Sequence, residues 1–238
     1  MTAATIRFED GAGYEQMMGV WSRLVGHEFI AWLAQPPRLR WIDVGCGNGA
    51  FTELLVDLCD PEEVQGVDIS EGQLAYARTR PAARLAEFRL GDAMAIPFPA
   101  HRFDAAVMTL VLTFLPEPAR GFAEMVRVVK PGGLVAVYMW DMLGGGFPLD
   151  PVIKEFEAAG VSPPRPPQLE ASRLDTMQML AREAGLRDIE AREFRVSRTF
   201  SGLEELWDTT VSKSPSLKGA AATMSEETVR AVKRGIAA

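Results

Sequence analysis

The feature that most constrains this chain is a short apolar run that leads directly into a glycine-rich turn, WIDVGCGNG at residues 41–49. Its alternating glycines, Gly45, Gly47 and Gly49, can adopt positive φ and let the backbone approach a ligand with no Cβ in between. Residues 50–58 carry apolar side chains at helical spacing, so we predict a helix that starts at the turn and points its first N–H groups at the ligand. Strand, glycine turn and helix N-terminus together predict a nucleotide-type site.

The turn alone is ambiguous, because Gly45-x-Gly47-x-x-Ala50 also satisfies the fingerprint of dinucleotide-binding folds. Asp68 follows the next predicted strand, residues 64–67, where its carboxylate can accept hydrogen bonds from ribose hydroxyls. After a third predicted strand, residues 91–99 bring an acidic residue and small apolar groups that can flank an adenine. Two further blocks follow in order, residues 103–109 and residues 128–137, and the second contains a Lys-Pro-Gly-Gly turn.

With these five blocks, the chain resembles a class I methyltransferase dependent on S-adenosylmethionine, of the small-molecule type that carries a type 11 methyltransferase domain. The ordered match runs from Trp41 to Tyr138, and its specificity comes from five blocks at the family's usual separations. The resemblance implies S-adenosylmethionine as cofactor, S-adenosylhomocysteine as its product, and methyl transfer to a small-molecule acceptor by in-line displacement.

The order of elements predicts one α/β domain with additions. Strands and helices alternate in a Rossmann-like core, residues 41–200 with an insertion at 141–171, which predicts a doubly wound, mostly parallel sheet with helices on both faces. Residues 1–40 form an N-terminal helical cover over this core, opening with a loose arm that ends at Gly13, and residues 201–238 form a helical C-terminal segment of the same domain.

The last strands of the sheet are the part of the core that is hardest to predict from the sequence. Residues 189–199 look like a long strand. A seventh strand, usual in the family, cannot be recognised after it: the strand is absent, the chain is shortened, or residues 189–199 supply more than one element. An uncovered sheet edge invites pairing with another chain, so we expect a homodimer.

The resemblance also implies a set of cofactor contacts. Asp43 would orient the turn and the methionine amino group, and Asp68 would accept from the ribose hydroxyls. Ile69 would lie against the adenine, with Asp92 at its edge. The residues expected to line the cofactor site are Tyr14, Met18, Trp21, Asp43, Gly45, Cys46, Gly47, Asp68, Ile69, Gln73, Asp92, Ala93, Met94, Thr109 and Leu110, the last two at the sulfonium end.

The same residue types also fit purely structural roles. A carboxylate at Asp43 could simply receive backbone N–H groups, and Asp92 could close an Asx turn after Gly91. Trp21 and the neighbouring methionines would pack equally well in a core. These alternatives stay open at the level of the sequence.

No catalytic residue can be assigned from the sequence. The methyl group of a sulfonium is already activated, and alignment of an acceptor can supply effective molarities of about 10⁵–10⁸ M without a general base. The chain has two histidines, His27 and His101, and the loop position of His101 favours a solvated loop residue over a general base. Tyr138, Trp140 and Asp141 follow the fifth predicted strand and are candidates for an acceptor pocket.

Two other functions are compatible with parts of the sequence. An NAD(P)-dependent oxidoreductase would explain the glycine turn, but no Tyr-x-x-x-Lys pair follows the fourth or fifth strand and the KPGG turn has no dinucleotide counterpart. A non-catalytic module that binds S-adenosylmethionine as a sensor or regulatory subunit would share every motif, because methyl transfer requires no diagnostic side chain.

Composition narrows the classes of partner. The chain of 238 residues has a formal net charge of -7, so phosphate backbones would repel it. Residues 109–112 read TLVL, not the Asn/Asp-Pro-Pro-aromatic tetrad that holds a planar nitrogen acceptor, which argues against nucleic acid and protein-amide substrates. With two cysteines, no signal-type segment and no apolar run long enough for a bilayer, we expect a cytoplasmic protein without membrane contact, and we assign no metal ligands.

Overall fold

A single sheet of five parallel strands forms the centre of the computed structural model, which describes residues 8–237. The strands are β1 Arg40–Val44, β2 Glu63–Asp68, β3 Ala86–Leu90, β4 Phe103–Thr109 and β5 Val129–Tyr138. They lie in the order β3-β2-β1-β4-β5, and each neighbouring pair is parallel. The predicted doubly wound α/β fold is therefore confirmed.

Strand β1 lies at the middle of the sheet, which explains its almost unbroken apolar sequence. Trp41 is paired with Val64 of β2 on one side and with Ala105 of β4 on the other. Four of the five β1 residues are buried, as expected for a parallel strand covered on both faces. The strand order reverses between β1 and β4, and a ligand site is expected at this switch point, beyond the carboxyl ends of the strands.

Ten α-helices lie within residues 8–237, and they cover both faces of the sheet. They are α1 Gly11–Tyr14, α2 Val20–Leu33, α3 Ala50–Leu58, α4 Glu71–Ala77, α5 Pro118–Val128, α6 Asp150–Ala158, α7 Leu174–Glu183, α8 Leu203–Thr210, α9 Pro215–Ala221 and α10 Glu226–Ala237. One apolar core packs α2, α3, α6 and the C-terminal helices on one face, and a second packs α5 and α7 on the other.

Local sequence signals predict where helices begin. The signal for α4 is correct, and the signal for α7 is not. The pattern Ser70-x-x-Gln73 predicts a helix cap, and Ser70 accepts a hydrogen bond from the Gln73 backbone N–H at 3.3 Å, so this cap of α4 is confirmed. The pattern Ser172-x-x-Asp175 predicts a helix that opens at Ser172, but α7 begins at Leu174, so this prediction is wrong. The Ser172 hydroxyl instead donates to the Leu169 carbonyl at 2.7 Å within a preceding 3₁₀ turn.

The N-terminal cover differs from the predicted loose arm up to Gly13. Residues 1–7 of that arm lie outside the described residues, but α1 already begins at Gly11, because the Asp10 carboxylate accepts from the Gly13 N–H at 2.9 Å. A π-helical turn, Glu15–Gly19, joins α1 to α2. Such turns inside longer helices are frequent at functional sites.

The strand predicted at residues 189–199 is wrong. The segment belongs to no strand, although Phe194 and Val196 pack against the core on alternate positions. The alternating pattern reports which side chains face the core, but it does not fix a hydrogen-bonding neighbour. Within residues 8–237 the sheet therefore ends at β5.

Candidate active site

The glycine turn, residues 45–49, has the predicted conformation. Gly45, Gly47 and Gly49 have φ of 75°, 52° and 77°. A Cβ on Gly45 would lie 2.3 Å from Val111 Cγ2, whereas a Cβ on Gly47 would meet nothing closer than Gln73 Oε1 at 3.8 Å. Gly45 is thus required by packing, and the space above Gly47 is open to a ligand.

Asp68 lies beside this open space, at the carboxyl end of β2. Its Oδ2 accepts from the Gly47 N–H and its Oδ1 from the Ser70 N–H, both at 2.8 Å. Burial raises the pKa of Asp68, and these backbone hydrogen bonds oppose that shift. A carboxylate has about four acceptor positions, so two backbone donors leave capacity for ribose hydroxyls.

Asp43 and Gln73 contribute buried polar atoms that have no partner. Asp43 is fully buried, its Oδ2 accepts from Thr52 Oγ1 at 2.7 Å, and its Oδ1 has no hydrogen bond within the described chain. Burial raises the pKa of Asp43 to about 7. No backbone N–H among residues 8–237 reaches this carboxylate, so its purely structural alternative is not realised. Both amide atoms of the buried Gln73 are likewise unpaired, and unpaired buried polar groups are characteristic of sites that receive a ligand.

The residues expected around the adenine follow β2 and β3. Ile69 is 77% exposed, which leaves its side chain free for contact. Asp92 Oδ1 accepts from the Met94 N–H at 2.8 Å, so the Asx-turn alternative is realised there. The turn engages one carboxylate oxygen, and the second makes no hydrogen bond within residues 8–237. Ala93 is buried beneath this turn.

Thr109 and Leu110 end β4 at the switch point. Leu110 has φ of 62°, a left-handed conformation that is uncommon outside glycine, and its N–H donates to the Tyr138 carbonyl at 3.0 Å. Such strained residues cluster at functional sites. Cys46 is buried in the glycine turn, where its N–H donates to the Val67 carbonyl at 3.0 Å.

An apolar cleft opens next to Leu110, between the N-terminal cover, β4, β5 and the segments after them. It encloses about 740 Å³ of empty volume, part of it open to solvent. Of the three cover residues predicted to contact the cofactor, Tyr14 and Met18 line this cleft. Trp21 does not; it is buried in the core and meets Trp140 edge-to-face with 6.2 Å between ring centroids. The residues lining the apolar cleft are Phe8, Tyr14, Met17, Met18, Leu110, Thr113, Phe114, Met139, Trp140, Met142, Phe147, Leu149, Ile153, Pro164, Arg165, Pro166, Ser214, Ser216 and Leu217.

A cluster of charged side chains that the sequence did not suggest fastens the cover to the glycine turn. This ionic cluster consists of Glu15, Arg23, Asn48, Glu53 and Arg80. Arg80 Nε donates to the Asn48 carbonyl at 2.6 Å and its Nη1 to Glu53 at 2.8 Å, and Arg80 also pairs with Glu15. Burial opposes ionisation of Glu15, but Arg23 and Arg80 hold the pKa of its carboxyl below the ordinary value. The pairs join residues up to 65 positions apart, which sequence patterns do not indicate. The one signal in the sequence is that Asn48 belongs to the glycine turn.

The histidine considered as a general base lies away from this edge of the sheet. His101 precedes β4 at the opposite end of the strands, and its Nδ1 lies 3.1 Å from the Val129 carbonyl, so it is structural. Between residues 8 and 237, no three His, Cys, Asp or Glu side chains are grouped closely enough to hold a metal ion. No helix in the same range is long and apolar enough to cross a membrane.

Comparison with known proteins finds similarity in the central part of the chain. Residues 42–137 match the family model described as a methyltransferase domain. A demethylmenaquinone methyltransferase of Symbiobacterium thermophilum is 40% identical over 111 residues, which are 44% of this chain and 44% of that protein. The enzyme of the same name from Desulfitobacterium hafniense is 36% identical over 104 residues, 42% of this chain and 41% of the relative. The chain therefore spans less than half the length of these relatives.

A solved structure extends the similarity of the fold beyond the aligned domain. A SAM-dependent methyltransferase from Aquifex aeolicus superposes with a TM-score of 0.55 at 19% identity, over 75% of this chain and 85% of that one. At this identity the likeness concerns the fold alone. The sequence resemblance drawn from the five blocks is confirmed by the family match.

Proposed function

We propose that this chain, whose residues 42–137 match the family model described as a methyltransferase domain, transfers a methyl group from S-adenosylmethionine to a small molecule. The observation that carries the proposal is the carboxylate of Asp68, hydrogen-bonded to the Gly47 N–H at 2.8 Å beside open space. The adjoining apolar cleft provides a place for an acceptor. Two relatives are named for the methylation of demethylmenaquinone, which supports a small-molecule acceptor.

The side chains around the glycine turn fit this cofactor. Asp68 would accept from the ribose hydroxyls, and the exposed Ile69 would cover the adenine. The unpaired atoms of Asp43 and Gln73 are suited to the amino and carboxylate groups of the methionine part. When bound, S-adenosylmethionine supplies a methyl group on a positively charged sulfur.

The protein's task is alignment. The chain's residues would hold the acceptor in line with the methyl group, and any proton released from the acceptor would pass to water. Leu110 is held at the junction of the turn and the cleft by its bond to the Tyr138 carbonyl. Burial raises the pKa of Tyr14 and of Tyr138, so both phenols stay neutral and neither serves as a base. Neither phenol supplies general-base catalysis, so positioning of the acceptor supplies the acceleration.

The alternatives drawn from the sequence find less support. The family match covers the glycine turn and the KPGG block together, which favours a methyltransferase over an NAD(P)-dependent oxidoreductase. A non-catalytic module would retain cofactor binding but would form no S-adenosylhomocysteine in the presence of any acceptor.

We extend the proposal to partners and organisation. The net charge of -7 argues against a nucleic-acid partner, and we keep a cytoplasmic location without membrane contact. A homodimer paired through the edge of β5 is our proposal for the assembly. For the domain organisation we retain a cover at residues 1–40, a core at 41–200 and a helical segment at 201–238.

Titration calorimetry tests the cofactor. We expect micromolar binding of S-adenosylmethionine and S-adenosylhomocysteine and no binding of NADH. Asp68→Asn should weaken S-adenosylhomocysteine binding about 10- to 100-fold, because a charge-assisted hydrogen bond contributes roughly 1.5–3 kcal/mol. Asp57→Asn, an exposed carboxylate on α3, is the matched control. Binding of NADH alone, or an unchanged affinity in Asp68→Asn, would contradict the proposal.

A further inference from the structure

The charge of the apolar cleft limits what it can hold. Arg165 is the one charged residue among those that line it, and its guanidinium donates to Glu157 at 2.8 Å. No carboxylate belongs to the lining. A cationic amine would therefore enter without a counter-charge, and an anionic acceptor would have to compete with Glu157 for Arg165. Burial of an unpaired charge is strongly unfavourable.

The walls favour a flat, apolar molecule. Phe114 and Trp140 belong to them, and Phe114 meets Phe8 edge-to-face with 5.7 Å between ring centroids. Met17, Met18, Met139 and Met142 supply flexible thioethers that make favourable contacts with aromatic rings.

Two buried polar atoms in these walls have no hydrogen-bond partner within the described chain. They are Thr113 Oγ1, on a fully buried side chain, and Trp140 Nε1. The two serine hydroxyls of the cleft are engaged with each other, since Ser214 Oγ and Ser216 Oγ lie 3.0 Å apart. An indole N–H can only donate, and a threonine hydroxyl can donate or accept. The complementary group on a ligand is a neutral oxygen, either a hydroxyl or a carbonyl.

We propose that the methyl acceptor is an uncharged aromatic compound with a hydroxyl or carbonyl oxygen, held in the apolar cleft by Thr113 and Trp140. This inference rests on the proposed function, because Leu110 lines the cleft and the next residue, Val111, packs against Gly45 of the glycine turn. Thr113 and Trp140 are specificity residues that select the neutral oxygen.

A panel of three naphthalenes with one ring system and different charge tests the acceptor class. The probes are 1-naphthol, 1-naphthylmethylamine and 1-naphthoate, each titrated into wild-type protein saturated with S-adenosylhomocysteine at pH 7. We expect 1-naphthol to bind at least tenfold more tightly than either charged probe. Equal or tighter binding of the amine or the acid, or no binding of 1-naphthol, would overturn the inference. Saturation by S-adenosylhomocysteine is measured first, so a failed proposed function is recognised separately.

Two variants test the named residues. Thr113→Val and Trp140→Phe should each weaken 1-naphthol binding about five- to tenfold and leave S-adenosylhomocysteine affinity within twofold, which also reports folding. Thr223→Val and Trp32→Phe, outside the cleft, are the matched controls and should leave both affinities unchanged. If the test variants bind 1-naphthol like the controls, the assignment of Thr113 and Trp140 is wrong.

Discussion

Two positions of the glycine turn, 45 and 47, require glycine for different physical reasons. Gly45 and Gly47 both have positive φ, but only Gly45 is packed against a neighbour, the Val111 side chain. The motif predicted the turn, because alternate glycines directly after an apolar strand leave few other conformations. It could not distinguish the two positions, since the contact is with Val111, which follows β4 and lies 66 residues later in the chain than Gly45.

Alanine substitutions should separate these two requirements. Gly47→Ala should lower the free energy of unfolding by about 1–2 kcal/mol, the cost of a left-handed conformation, and reduce S-adenosylhomocysteine affinity. Gly45→Ala should cost about 2–4 kcal/mol, because overpacking adds to the same conformational term. Urea unfolding and calorimetry measure the two effects. A Gly45→Ala variant as stable as Gly47→Ala would show that the contact with Val111 relaxes freely.

Asp43 should make stability depend on pH in a recognisable direction. Its folded pKa of about 7 exceeds the unfolded value of roughly 3.9, so between these values the folded state binds more protons. The contribution of Asp43 to stability therefore falls as pH rises from about 4 to 7 and is constant above that range.

The variant Asp43→Asn isolates this contribution, because the amide oxygen can still accept from Thr52. Each unit of pKa shift corresponds to about 1.4 kcal/mol, so the stability of Asp43→Asn relative to wild type should rise by several kcal/mol between pH 4 and pH 7. Urea titrations of both proteins at a series of pH values measure the difference. A difference in stability between the two proteins that does not change with pH would contradict the pKa of this buried carboxyl being raised.

Elements whose residues carry a clear period could be predicted, and elements defined by distant partners could not. The sequence predicts a strand at residues 86–90, which are the bounds of β3, and a helix at residues 118–129, which α5 matches except for its last residue. Residues 189–199 show the limit, since their alternation reports burial without naming a hydrogen-bonded neighbour. The ionic cluster lies beyond sequence reasoning altogether, because Glu15 and Arg80 are brought together only by the fold.

The attachment of the N-terminal cover should depend on Arg80. The Arg80 side chain is 9% exposed, and Arg80→Met would remove an ion-pair partner from both Glu15 and Glu53. Removal of one member of a buried pair costs about 3–5 kcal/mol, and we expect the lower end because Arg23 still pairs with Glu15. Hydrogen exchange should accelerate in residues 11–19 and remain unchanged in α5.

Arg84→Met provides the comparison for this experiment. Arg84 is exposed and lies 3.9 Å from Asp57, and such surface pairs contribute about 0–1 kcal/mol. Equal losses of stability and of hydrogen-exchange protection in Arg80→Met and Arg84→Met would mean that the ionic cluster does not hold the N-terminal cover.

At the scale of the whole molecule, the two edges of the sheet differ in character. Strand β3 carries Glu87 and Arg89, and charged residues discourage pairing with another chain. Residues 134–137 of β5 are uncharged and apolar, and β5 pairs only with β4 within the described chain. This contrast is the basis for placing a dimer contact at β5.

Sedimentation velocity tests the proposed dimer. We expect a dimer at micromolar concentration and a monomer for Val137→Lys, because a charge on an edge strand opposes pairing. Leu90→Lys, on the β3 edge, should remain dimeric. A wild-type monomer, or dissociation by Leu90→Lys alone, would exclude the β5 contact.

The π-helical turn Glu15–Gly19 determines how far the preceding residues are rotated about the helix axis relative to α2. Relative to a regular α-helix, a π-helical turn accommodates one additional residue, which corresponds to a rotation of about 100°. Tyr14 lies before this turn and lines the apolar cleft, whereas Trp21 lies after it and packs in the core. Deletion of one residue from the turn would rotate Tyr14 away from the cleft without altering α2. A change in chain length alone, at a turn residue outside the cleft, can thus alter which side chains the cover presents to an acceptor, without substitution of any cleft residue.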